Sequence, residues 1–147
     1  MSAVGSYVLV LPVPSEAILK IGKLGLCVFP PGYYCYAGSA RGPGGLPARL
    51  ARHLRKGKKL RWHIDYLLEQ ATIVEIWQAP SAERLECRWA RAVLALPGVE
   101  SSIAGFGSSD CDCTTHLAYL PPSLLPTLRG CMQALGATRW DGQDRAH

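Results

Sequence analysis

Prolines and glycines interrupt this chain often enough that no long apolar run survives. The longest stretch without a charged residue, residues 24–40, contains Pro30, Pro31 and three glycines, and both residue types end or bend helices and strands. No run of about 20 apolar residues survives this punctuation, so no membrane-spanning helix is expected. Hydrophobic residues still make up 48% of the 147 and charged residues 18%. That supports a packed core and one domain over residues 1–147. The start, Met1-Ser2-Ala3-Val4, has no basic residue ahead of its apolar stretch, so a secretory signal is not expected. The six cysteines then read as reduced thiols of a cytoplasmic protein rather than a disulfide scaffold.

Residues 7–13 are nearly all apolar and end in prolines, which predicts a strand. Residues 18–29 fit either a short strand pair or a bent loop. The aromatic run 33–37 is strand-like and leads into a glycine-rich loop from Gly38 to Gly45. Pro47 fits the first turn of a helix reaching about Lys56, with Leu46, Leu50 and Leu54 as its buried stripe and Gly57 at its end. A short helical or extended piece is expected over 62–70, a strand over 71–78 and a helix over 82–96 with Ser81 as its N-cap. A last strand over 116–120 and a last helix over 122–135 complete the series. The order predicts an α/β (α+β) sandwich, with a short mixed or antiparallel sheet of about three strands flanked by helices.

Charge is unevenly spread. The net charge is +5, yet eight of the 16 basic residues lie within residues 41–61, where there is no acid. A basic patch of this density suits a polyanion such as nucleic acid, and Arg41, Arg52, Lys56, Lys58, Lys59 and Arg61 are the candidate contacts. A solvated helix face is the plainer alternative. Arg49 and His53, four apart, share one helix face beside the leucine stripe. An arginine there can meet phosphate in a cleft or lie along the core edge. On the later helix, Glu86 falls with the apolar residues, whereas Arg84, Arg88 and Arg91 face water. An inward carboxylate is costly unless paired or bound to metal, although a helix N-terminus also favours an acid.

Gly5-Ser6-Tyr7 and Tyr36-Ala37-Gly38 resemble the two signature tripeptides of the GIY-YIG endonuclease superfamily. Arg49-x-x-x-His53 and Glu86 follow in the same order. The runs from Gly32 to Ala40, from Trp62 to Leu68, Glu86-Cys87 and from Gly105 to Cys111 resemble its Uri-type branch, long described as a domain of unknown function. The resemblance implies a GIY-YIG-like sandwich and divalent-metal-dependent hydrolysis of DNA phosphodiesters with one Mg2+ or Mn2+. It implies Glu86 as metal carboxylate, Arg49 as the cation opposite the phosphate, Tyr7 as activator of water, and Tyr36 in support. His53 is then a second candidate base or a leaving-group contact, since free imidazole titrates near ~6.5.

Two departures stand out. Tyr7 and Tyr36 lie 29 positions apart, so about residues 15–29 read as an insertion bordering the site, and residues from about 121 as a C-terminal extension. The chain also has no Asn, whereas the superfamily commonly places one after its Glu helix. Asp110, His116 or His63 could fill that role. Finally, Cys111-x-Cys113-x-x-His116 resembles zinc ligands, with Cys87 available as a fourth. Its short spacing favours reduced thiols packed near the site, with Zn2+ as the alternative. A non-cleaving nucleic-acid-binding module and a zinc-stabilised interaction domain are the other readings open at this level.

Overall fold

The computed structural model describes residues 4–101, 103–108, 111 and 113–140. Two nine-residue strands form its centre: β1 (Gly5–Val13) and β4 (Gly32–Ala40) pair antiparallel along their whole length, from Gly5 opposite Ala40 to Val13 opposite Gly32. On its other edge β1 pairs with β5 (Glu75–Pro80). The continuous apolar run of β1 is explained by its position, because both of its faces are covered. Alternation along the strand sends Tyr7, Leu9 and Leu11 into one core and Val8 and Val10 into another.

The first core is closed by α1 (Gly45–Leu54), through Leu46 and Leu50, and by α2 (His63–Leu68), through Ile64 and Leu67. Residues 15–29 contribute an antiparallel hairpin, β2 (Ala17–Lys20) and β3 (Leu26–Phe29), with Cys27 and Phe29 buried in the same core. The second core is closed by α3 (Glu86–Leu94), through Trp89 and Val93, and by α4 (Leu125–Ala134), through Leu128 and Met132.

The main sheet has six strands, all antiparallel, where the sequence predicts about three. β7 (Leu117–Leu120) pairs with β4, β6 (Glu100–Ser101) with β7, and β8 (Thr138–Arg139) with β5, giving the order β6-β7-β4-β1-β5-β8. The outermost strands have two residues each, too few for any alternation to register. Their pairing is set by the layers they close, not by local propensity. Residues 122–140 therefore extend the same sheet and core. Arg129 of α4 also donates to Glu75 of β5 at 2.9 Å.

Two boundaries also move. β4 runs through Gly38, Ser39 and Ala40, residues expected in the loop, because all three pair with β1. α3 starts at Glu86, four residues late. Ser81 Oγ accepts the Glu83 N–H and so closes a turn instead of capping the helix, while Ser6 Oγ of β1 accepts the Leu85 N–H, each at 3.0 Å. The central strand thereby fixes the start of the helix that carries Glu86.

Candidate functional site

One cleft of about 280 Å3 opens where the C-terminal end of β4, the start of β1, α1, α3 and the loop before β7 meet. Tyr7, Tyr36, Arg49 and Glu86 line it, with Arg41, Trp62 and Arg84 also on its wall. His53 stands behind Tyr7, buried, with its Nε2 2.7 Å from the phenol oxygen. Thus five residues from four elements converge. No residue of 15–29 lines the cleft. The hairpin does not border it as expected, because its inward side chains are committed to the core beneath α2.

The strand register explains how the tyrosines meet. Tyr7 lies opposite Gly38, and Tyr36 opposite Leu9, so the two rings are diagonal neighbours on one face. The Tyr7 ring passes directly over Gly38: a Cβ there would lie 2.5 Å from Tyr7 Cζ and Oη. A Cβ on Gly107 would likewise lie 2.6 Å from Tyr36 Cε1, and that glycine is in the left-handed region at φ +68°. Gly38 and Gly107 are therefore spaces for an aromatic ring.

Burial dominates the electrostatics. It pushes the Tyr7 hydroxyl up to about 12, against the charge and a hydrogen bond of Arg49. The Tyr36 hydroxyl is raised for the same reason. Burial drives His53 down to about 3; Asp65 pulls the other way, and the charges of Arg49, Arg52 and Lys58 reinforce the fall. At neutral pH Tyr7 and His53 are therefore both uncharged. His53 Nδ1 and Glu86 Oε1 are buried without a hydrogen-bond partner. Glu86 occupies the first turn of α3, where the helix dipole favours its charge, and it takes part in none of the ion pairs among the described residues.

The arginine that shares this cleft has fixed partners. Arg49 donates to the Ser39 carbonyl at 2.8 Å and lies 4.4 Å from the Trp62 ring centre. Arg52 and Arg61 also approach that ring, at 4.3 and 5.0 Å. Trp62 thus gathers three guanidinium groups, each a favourable cation–π contact. The sequence marks Trp62 as the start of the run to Leu68 and gives it no site role, although a tryptophan beside a dense basic run is the signal such an arrangement leaves.

Asp65 is the anchor beneath this group. Its oxygens accept from Arg52 at 2.9 and 3.0 Å and from the Arg61 and Trp62 backbone N–H groups at 2.9 Å. Burial raises its carboxyl, but these hydrogen bonds outweigh burial and hold it below the usual carboxylate range. Asp65→Ala would strand a largely buried guanidinium and two backbone donors, so it should cost about 3–5 kcal/mol. A urea titration with an unchanged slope and a lower midpoint checks this.

The expected nucleic-acid contacts divide. Arg41 donates to the Ser81 and Ala82 carbonyls, and Lys58 to the carbonyls of His53 and Arg55, which close the end of α1. With Arg52 on Asp65, three of the six are engaged within the fold. Lys56, Lys59 and Arg61 are exposed, as is Arg55.

The remaining candidates also separate. His63 Nδ1 accepts the Gly107 N–H at 2.9 Å, so it holds the loop that flanks Tyr36 and lies outside the cleft lining. Asp110 lies outside the described residues. His116 and Cys111 reach the cleft, as does Cys87 beside Glu86. The ligand atoms of Cys87, Cys111, Cys113 and His116 all lie within 4.8 Å of one another, a set that can hold a metal ion. The six cysteines are free thiols, and burial together with the neighbouring thiols pushes Cys87 up to about 12.

Together these features define an antiparallel α+β sandwich with a Tyr–His–Arg–Glu cleft and a Cys3His cluster beside it. The chain belongs to the family described as "Domain of unknown function DUF123", which matches residues 6–137. No curated protein and no solved structure matches it.

Proposed function

We propose that this protein is a GIY-YIG-type endonuclease that hydrolyses DNA phosphodiester bonds with one Mg2+ or Mn2+. The observation that carries the reading is the convergence of Tyr7, Tyr36, Arg49, His53 and Glu86 at one cleft, with a Glu86 oxygen buried and unpartnered. That carboxylate fits a hard divalent ion, which is commonly held by one or two carboxylates together with water and substrate phosphate. When bound, such an ion would polarise the phosphate and ease departure of the leaving oxygen.

This chain's own residues supply the rest. Arg49, fixed by Ser39 and Trp62, offers a preorganised cation to the phosphate as negative charge builds on it. The Tyr7 oxygen takes a proton from the attacking water while the Tyr7 proton passes to His53 Nε2. The new O–P bond forms as the P–O bond to the leaving nucleotide breaks, and the leaving oxygen takes its proton from solvent water. The positive charge that arises on His53 is balanced by the charge developing on the phosphate. Tyr36, beside Tyr7, restricts where that water can sit.

The exposed cations Arg55, Lys56, Lys59 and Arg61 favour contact with the DNA backbone, and they are also what a non-cleaving binding module would retain. Incubation with single-stranded, duplex and branched DNA, with Mg2+, with Mn2+ and with chelator, separates the two. Metal-dependent strand scission is expected on at least one substrate. Binding without scission across the panel would leave the binding module.

A further inference from the structure

We propose that Cys87, Cys111, Cys113 and His116 hold one zinc ion as a closed structural centre, and that this ion clamps the loop before β7 onto the first turn of α3, beside Glu86. The inference is independent of the nuclease reading for the ion itself and uses it only to say what the clamp serves.

The distances carry it. Zinc bonded at about 2.3 Å to sulfur and 2.0–2.1 Å to imidazole nitrogen places the corners of its tetrahedron about 3.5–3.8 Å apart. His116 Nε2 lies 3.3 Å from Cys111 Sγ and 3.5 Å from Cys87 Sγ, and all four ligand atoms fall within 4.8 Å. Weak thiol hydrogen bonds would not by themselves gather three sulfurs and an imidazole from two separate parts of the chain.

The surroundings are those of a zinc site. Nε2 faces the sulfurs, and the Ala37 N–H donates to the His116 carbonyl at 3.0 Å, which ties the backbone of the ligating histidine to β4. Arg91 Nη1 approaches Cys113 Sγ at 3.5 Å, so a cation offsets the excess negative charge of three thiolates on one Zn2+. Four protein ligands leave no open position, which marks a structural ion rather than a catalytic one. The soft sulfur donors also divide the labour with Glu86, since Mg2+ and Mn2+ prefer oxygen.

The loop itself is tied at its base by the Gly105 N–H to the Thr114 carbonyl at 2.7 Å and the His116 N–H to the Phe106 carbonyl at 2.8 Å. The proposed ion would add the link to α3. Because Cys87 directly follows Glu86, losing the ion would loosen the turn that aims the carboxylate.

Metal analysis of the full chain, purified without chelator, is expected to find one zinc per molecule. Replacement by Co2+ should give the visible bands of a tetrahedral, thiolate-bound ion. Cys113→Ser, outside the cleft lining, should lose the zinc and lower the melting temperature, and in wild type zinc but not Mg2+ should restore stability after stripping. Less than a tenth of an equivalent of zinc, with no cobalt spectrum and three thiols in the native chain reacting as freely as in a denatured one, would overturn the site. These readouts require no DNA. Zinc present with no scission on any DNA would therefore support this inference while the nuclease reading failed. A zinc-free chain that kept full stability would overturn the clamp.

Discussion

Glu86→Gln should lower DNA cleavage about a thousandfold or more and leave DNA affinity within twofold. The substitution keeps the shape of the side chain and removes its charge. Charge stabilisation by a metal ion is worth several kcal/mol, and about 1.4 kcal/mol is tenfold in rate. Affinity should persist because the exposed cations of residues 55–61 are untouched. Stability has two opposed contributions. The dipole at the start of α3 favours the carboxylate by about 0.3–1 kcal/mol, whereas its buried Oε1 has no partner and carries a desolvation cost of comparable or larger size. The melting temperature should therefore hold or rise. If Glu86 were a structural residue, the variant would melt lower and cleave normally per folded molecule. Measuring melting, DNA affinity and cleavage on a single preparation separates these outcomes.

Much of this site could be read before any coordinates, and what escaped has a physical pattern. Arg49, His53 and Glu86 were legible as candidates because helical spacing puts cleft-side and buried positions into a fixed phase. Tyr7 and Tyr36 were legible through their tripeptides, and the register gives the reason: Gly38 is the empty position that the Tyr7 ring needs. Two-residue strands such as β6 and β8 left no trace, since an edge pairing is specified by the partner strand and not by its own side chains. The delayed start of α3 was hidden because the hydroxyl that controls it, Ser6, lies 79 positions away from Leu85. The basic run was legible as charge, but not as structure. Only the fold reveals that Arg52 is consumed by Asp65, that Lys58 closes α1, and that Trp62 organises three guanidiniums. The Cys3His set was half visible: residues 111–116 suggested ligands, yet their proximity to Cys87 depends on the packing of α3 against the sheet.

Tyr7→Phe should lower cleavage by about a hundredfold to ten-thousandfold, the usual range for a positioned acid or base, and kcat/KM of the native protein should show no inflection near pH 6.5. Both follow from the burial of the pair. With Tyr7 pushed up to about 12 and His53 down to about 3, the phenol and the imidazole stay neutral across the working range. The ground state is then a neutral phenol and a neutral imidazole sharing one hydrogen bond, not a tyrosinate beside an imidazolium. Proton transfer to His53 becomes favourable only as charge develops on a bound phosphate, so the free enzyme, which kcat/KM reports, carries no titration of this pair. Stability should respond to pH instead. His53 titrates near 6.5 when unfolded and near 3 when folded, so its contribution is fully present above about pH 6.5 and is lost as pH falls toward 3. Between pH 7 and pH 5 that loss is about 2 kcal/mol, at 1.4 kcal/mol per unit. His63 and His116 are also lowered by burial, so the comparison must be with His53→Gln, whose acid slope should be shallower by that amount. Tyr7→Phe leaves Nε2 buried and unpaired and should cost a further 1–3 kcal/mol or so at pH 7. An inflection near pH 6.5 in the native rate profile that vanished in His53→Gln would show instead that His53 titrates as an ordinary base, and would remove the neutral-pair mechanism.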